Sequence, residues 1–213
     1  CGEAIALPPL STTWRSWTRQ LRDYAQLPER VAELAWWQRA LAAPAGPPVF
    51  PMRPASGEDP APRSLSWRLS RERTAALLRE APRAYRMRVD EVLLAVLACA
   101  LGRSNGPTDV VVELEGHGRE DVIEGVDLSR TVGWFTTQFP LRLPCLPQPA
   151  QALPRIRELL RAVPQRGLHW GLLAHGDDPA SRAVLARLPA AEIGFNYLGR
   201  FDQDARGAGS RAS

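Results

Sequence analysis

Apolar residues recur at three- and four-residue spacing near the start of the chain. Trp14, Trp17, Leu21 and Tyr24 share one face of a helix predicted over 11–25. Pro28 suits the first turn of a second helix reaching about Leu41, with Val31, Leu34, Trp37 and Leu41 inward. Residues 64–70, SLSWRLS, alternate cleanly, so Leu65, Trp67 and Leu69 form one side of a half-buried strand. Ser70 caps a helix to about Ala81, and Asp90 caps the next, EVLLAVLACALGR. That helix is apolar nearly all round and therefore deeply buried, with Gly102 near its end. DVVVELE reads as a buried strand, and TVGWFTTQFPLRL as a strand that Pro140 interrupts or bends. PRIRELLRAV and PASRAVLARL read as helices, and AEIGFNYLG as a last strand. Mixed strands and helices predict an α/β or α+β sandwich.

Residues 44–63 are Pro-rich and aperiodic, so the main boundary falls there. The expected organisation is a helical segment over 1–43, this loop, a folded unit over 64–202, and a flexible tail over 203–213. The 213 residues suffice for one sizeable core with appendages. The chain opens on CGEAIALPPL, without Met, which suggests a start inside a longer protein. That opening has no signal-peptide pattern, and no apolar run reaches the roughly 18 residues of a membrane span.

All 27 basic residues are Arg, and the net charge is +4. The arginines alternate with acids, as in RERTAALLRE, which predicts a solvated surface, not a nucleic-acid track. Cys1, Cys99 and Cys145 are far apart, so a disulfide framework or zinc site is not expected and a reducing cytoplasm fits. Cys99, within LLAVLACAL, reads as a small buried apolar residue.

The stretch ELEGHGRE, residues 113–120, carries the candidate chemistry. Glycines at 116 and 118 permit a sharp turn at the end of a buried strand. A carboxylate leaving the strand there can face a cavity, be partly desolvated, and act as a general acid/base. Arg119 can hold the loop or pair with an acid. A charged surface turn is the plain alternative, and His117 is equally at home as a loop histidine. A hydrolase built on His117 has no Ser or Cys nucleophile in a GxSxG elbow to serve it.

The order of DEVLLAVLACAL, EGHGRE, RTVGWFTTQFP, PQRGLHWGLL and FNYLGRFD resembles the C-terminal part of an epimerization domain of nonribosomal peptide synthetases, within the condensation-domain superfamily. LPPLSTTWRSWTRQLRDYAQ and ELAWWQRAL resemble the segment that joins the family's two lobes. The resemblance implies a chloramphenicol-acetyltransferase-like lobe, half of a two-lobed domain with a channel between. Residues 1–43 are then the inter-lobe connector and 64–202 the C-terminal lobe. The implied reaction inverts the α-carbon of an aminoacyl or peptidyl thioester. A peptidyl carrier protein delivers that thioester on a 4'-phosphopantetheine arm, and no cofactor or metal is held by the chain itself. The other implied partners are the N-terminal lobe and neighbouring synthetase domains, not nucleic acid or membrane.

By that resemblance, Glu115 is one of two acid/base groups, Arg119 supports the site, and Asn196 and Tyr197 line it beside His117. Tyr197 is then placed to donate a hydrogen bond to an enolate-like oxygen. Asn196 and Tyr197 serve equally well as the plain end of a strand. Gly133, Trp134 and Phe135 suit packing better than chemistry. The family's second acid/base belongs to an HHxxxDG motif, and the three histidines here, His117, His169 and His175, form no such pair. His169-Trp170 also stands where the family more often has Gly-Tyr, with no chemical role evident. The chain alone is therefore expected to be inactive. The alternatives are a non-catalytic half-domain that docks carrier proteins and a fragment of an amide-forming condensation domain.

Overall fold

The structure is a computed structural model, and it describes residues 11–42 and 62–199. The Pro-rich loop, apart from residues 62 and 63, and the tail lie outside the described residues, as does Cys1.

Helix α1 spans Trp14–Ala25, three residues later than Ser11. Thr13 is the N-cap, its hydroxyl accepting from the Ser16 amide at 3.1 Å. The predicted second helix divides at Glu33 into α2, Pro28–Ala32, and α3, Leu34–Leu41. Trp37 and Leu41 are buried as expected, whereas Val31 is exposed, because the division turns α2 away from the face that α3 presents.

Ser70 caps α4, Arg71–Ala75, as predicted. The helical run continues past Ala81 through a π turn, Ala76–Glu80, into α5, Ala81–Tyr85. Pro82 has no N–H for the carbonyl four residues back and its ring crowds that carbonyl, so a widened turn accommodates it.

Helix α6 spans Val89–Asn105 and begins before the predicted cap, Asp90. Arg88 is the N-cap, its amide donating to the Glu91 carboxylate at 2.8 Å. Asp90 instead lies in the first turn, paired with Arg88 at 2.6 Å and favourably placed toward the positive end of the helix dipole. Leu94, Ala95 and Ala98 are almost fully buried, though Val96 is exposed. Gly102 does not end the helix; Gly106 does. A Cβ at Gly102 would stand 2.8 Å from the Cys145 carbonyl carbon, so this glycine lets α6 cross the chain at backbone contact.

Strand β1, Thr108–Gly116, pairs antiparallel with β2, Thr137–Cys145, and parallel with β3, Ile193–Phe195. The order is β2-β1-β3. Pro140 does not interrupt β2, because β2 is an edge strand of this sheet. Pro140 and Pro144 share one strand phase, and a missing N–H is tolerated where it faces away from β1. Arg142, in the same phase between them, donates to the Leu41 carbonyl at 2.6 Å, tying α3 to that edge. The first half of the predicted strand, Thr131–Thr136, is irregular, and β3 is three residues long, shorter than AEIGFNYLG suggested.

Helices α7, Pro149–Ala162, α8, Leu168–His175, and α9, Pro179–Leu185, complete the order, with a 3-10 turn Pro164–Gly167 before α8. The core joins Val110, Val112, Leu114, Phe139, Leu141 and Leu143 to Leu94, Ala98 and Ile156. Each buried Leu or Val of this kind contributes roughly 1.5–3 kcal/mol. Cys99 and Cys145 are both free and buried.

The predicted strand over 64–70 is absent. Residues 62–70 have no regular structure before Ser70 leads into α4, and Leu65 and Trp67 are 96% and 89% exposed. Alternation makes a strand only when a partner supplies hydrogen bonds, and none of the described strands reaches it. Among the described residues, no helix is long and apolar enough to cross a membrane.

Candidate active site

Period-two alternation decides which way the β1 side chains point. Val110, Val112 and Leu114 are buried, while Glu113 and Glu115 open to the other side. Glu115 is the last side chain before Gly116, at the tip of the strand. Its register partner is Gln138, whose amide donates to Oε1 at 3.4 Å. Asn196, just past β3, donates to Oε2 at 2.5 Å. Two amides from the neighbouring segments thus orient one carboxylate.

Glu115 borders a cavity of about 580 Å³ that Leu94, Leu114, Phe139, Phe195 and Tyr197 also line. Glu115 is exposed at the edge of this cavity. Tyr197 is half-buried in the cavity wall, and Asn196 is exposed beside Glu115.

The loop after β1 is built by its own polar groups. The Arg119 amide donates to His117 Nδ1 at 3.0 Å, which leaves Nε2–H to face Glu120 at 3.2 Å. Glu120 also meets Arg166, at 3.7 Å. His117 and Glu120 both line the cavity, so the second acid of EGHGRE is engaged by basic side chains, while the first is held by amides. Arg119 holds the loop, and among the described residues it pairs with no acid. Its guanidinium donates to the carbonyls of Leu128 and, at 2.8 Å, Thr131, and lies 3.9 Å from the centre of the Phe135 ring. Gly118 has φ +67°, and a Cβ there would be 1.6 Å from the Phe135 carbonyl oxygen, so the sharp turn demands glycine.

Phe135 packs edge-on against Trp14, with ring centres 4.7 Å apart, and joins Trp17 and Leu128 in a small second core. Thr131 donates to the Thr12 carbonyl at 2.7 Å, and Ser11 to the Asp127 carbonyl at 2.8 Å. Helix α1 and the residues that lead into it therefore fasten the loop beside the candidate site. Gly133 and Phe135 serve packing as expected, whereas Trp134 is 83% exposed.

The cavity wall also holds residues of PQRGLHWGLL to which the sequence assigned no individual role. Gln165 and Arg166, with φ of 40° and 51°, line the cavity, and Gly167, with φ of 87°, follows them as a third successive left-handed position. A Cβ on Gly167 would meet the Phe139 ring at 1.9 Å. Gln138 carries no sequence signal either, and only the strand register identifies it. His169 has a structural part: fully buried, it joins Glu33 at 2.5 Å and the Tyr24 hydroxyl at 3.0 Å. Among the described residues, no group of three or more His, Cys, Asp and Glu side chains is arranged to hold a metal ion.

Comparison with known proteins gives this geometry a lineage. The family model "Condensation domain" matches residues 1–211. The chain is 38% identical over 209 residues to the chondramide synthase of Chondromyces crocatus, covering 94% of this chain and 5% of that one. It is 35% identical over 210 residues to tyrocidine synthase 1 of Brevibacillus parabrevis, covering 96% and 19%. Among solved structures, the epimerization domain from the third module of tyrocidine synthetase B superposes with a TM-score of 0.79 at 32% identity, over 92% of this chain and 46% of that one. The first condensation domain of the calcium-dependent antibiotic synthetase superposes with a TM-score of 0.57 at 25% identity, over 90% and 39%. The chain thus spans a small part of these curated relatives and under half of each solved domain. The mixed α/β architecture is the chloramphenicol-acetyltransferase-like fold of these domains. With a family model spanning almost its whole length, the chain belongs to the condensation-domain family.

Proposed function

We propose that this chain is the C-terminal lobe and inter-lobe connector of an epimerization domain in a nonribosomal peptide synthetase. Its substrate is an aminoacyl or peptidyl thioester on the phosphopantetheine arm of a carrier protein, and its reaction inverts the α-carbon from L toward an L/D mixture. Residues 1–43 form the connector and 64–202 the lobe.

The observation that carries this reading is the setting of Glu115: a strand-tip carboxylate, oriented by Asn196 and Gln138, at the edge of an open cavity. The thioester carbonyl acidifies the α-proton. Glu115 exchanges a proton with one face of that carbon, and a group on the complementary half serves the other face. Asn196 aims the carboxylate. Tyr197 faces the same cavity and donates a hydrogen bond to the oxygen on which negative charge develops. Arg119 and His117 keep the turn after β1 in shape, acting on the site through the loop. The EGHGRE motif and the likeness to a solved epimerization domain support the same assignment. Because the chain covers 46% of that domain, the proposal assigns it no turnover alone.

The test is α-proton exchange in deuterated solvent, followed by mass spectrometry on a carrier-bound L-aminoacyl thioester. In the complete domain, Glu115→Gln lowers exchange about 10²- to 10⁴-fold. Exchange at the wild-type rate removes Glu115 from the mechanism. An amide-forming reading has the likeness to a solved condensation domain behind it. A new amide on the carrier, without stereoinversion, establishes that reading instead.

A further inference from the structure

Every residue from 62 to 70 is exposed, and this segment is no part of the three-stranded sheet. Its sequence nevertheless has strict strand alternation, with Leu65, Trp67 and Leu69 on one side and Ser64, Ser66, Arg68 and Ser70 on the other. Leu65 is 96% exposed and Trp67 89%. An exposed segment with an apolar side that is no part of the described sheet is a template for strand pairing, and natural proteins cover such edges.

We propose that residues 64–70 form a β-strand against a strand from the part of the domain outside these 213 residues, burying Leu65, Trp67 and Leu69 in that junction. This rests on family membership and length, and is independent of which reaction the domain performs. The solved epimerization domain is more than twice as long as the portion this chain covers, so a complete domain of that length has the polypeptide to supply the partner. A second copy is the poorer occupant. The segment 64–70 has Arg68 and no acid, so a second copy would add only like charge to the pairing.

The experiment uses the complete domain with p-benzoylphenylalanine in place of Trp67, photolysed and digested for mass spectrometry. The proposal expects the cross-linked peptide to come from outside these 213 residues. A peptide from within them, from a second copy, or no cross-link at all overturns it. Hydrogen exchange on the complete domain with Trp67 in place gives a second reading that does not depend on tolerating the probe. Alternate amides within residues 65–69, those that face the partner strand, should exchange at least about 100-fold more slowly than free-chain rates. Free-chain rates there overturn the proposal as well.

Discussion

Nδ1 of His169 lies 2.5 Å from Oε2 of Glu33, across 136 residues of chain. Tyr24 faces the other ring nitrogen at 3.0 Å, and Arg30 closes the group by pairing with Glu33 at 2.6 Å and lying 5.0 Å above the Tyr24 ring. Burial raises the Tyr24 hydroxyl above its ordinary value, and with Glu33 accepting at Nδ1 the hydroxyl is left to donate to Nε2. His169 then carries its proton on Nδ1 and donates to Glu33. This group joins the helices before the Pro-rich loop to α8 beyond it.

That arrangement makes stability depend on pH. Burial pushes His169 below its ordinary value of 6.5, with Arg30 adding to the effect and the hydrogen bond and charge of Glu33 opposing it. The unfolded chain therefore binds this proton more readily than the folded one. The contribution is complete above pH 6.5 and declines as pH falls toward the lower folded value. Urea titrations at about pH 7.5 and about pH 5 should show the loss. His169→Phe should remove that decline while costing about 1–3 kcal/mol at neutral pH, because Glu33 and Tyr24 each lose a partner. A separate decline below pH 3.8 belongs to Asp127 and Asp178. Hydrogen bonds, from Ser129 to Asp127 and from Ser181 to Asp178, hold their carboxyls below the usual range.

Gly118→Ala and Gly171→Ala should have opposite signs. At Gly118 the added methyl meets the Phe135 carbonyl oxygen and the backbone is left-handed, so denaturant melts should show a loss of about 1–3 kcal/mol or more. Gly171 lies within α8 with nothing within 4 Å of a Cβ, and alanine there should stabilise by up to about 1 kcal/mol. Equal effects at the two positions would contradict the packing of the turn against residue 135.

The elements legible in the sequence are those whose pattern is enforced locally. Strand β1 and helices α6 and α7 show their burial in their own residues, although α7 begins at Pro149 and carries inside it the Pro154 at which the sequence pattern starts. The segment 64–70 has the pattern of a strand without the structure, because pairing is not a local property. Helix α6 starts from Arg88 because Glu91 satisfies its amide from inside the helix, a choice that Asp90 alone does not reveal. At the candidate site, Glu115 is visible as a carboxylate at a glycine turn, and Asn196 as part of FNYLG. Gln138 is not, since only the β1–β2 register places it opposite Glu115. His169 stands in the sequence without a role because its partners lie more than a hundred residues away.

Cys145 should be inert to thiol reagents in the folded protein. Burial, with Asp109 and Glu192 nearby, pushes its thiol up to about 11, and burial also raises Cys99. At about pH 8 the thiolate fraction of Cys145 is then on the order of one part in a thousand. Alkylation followed by peptide mapping should label both residues rapidly in denaturant and slowly without it. Fast native labelling of Cys145 would show that the end of β2 opens readily.

Arg119→Lys tests whether that residue acts through the loop or directly on the carboxylate. Arg119 uses the planar fork of its guanidinium, reaching two carbonyls at once while lying over Phe135. Lysine keeps the charge but not the fork, so one carbonyl and the ring contact are lost, for a cost of about 1–2 kcal/mol. A lower melting temperature and faster proteolysis between residues 119 and 135 should follow. The hydrogen bonds from Asn196 and Gln138 to Glu115 do not involve Arg119, so the pH profile of α-proton exchange in the complete domain should keep its shape. An unchanged melting temperature with a displaced pH profile would place the Arg119 charge in direct contact with the reacting acid.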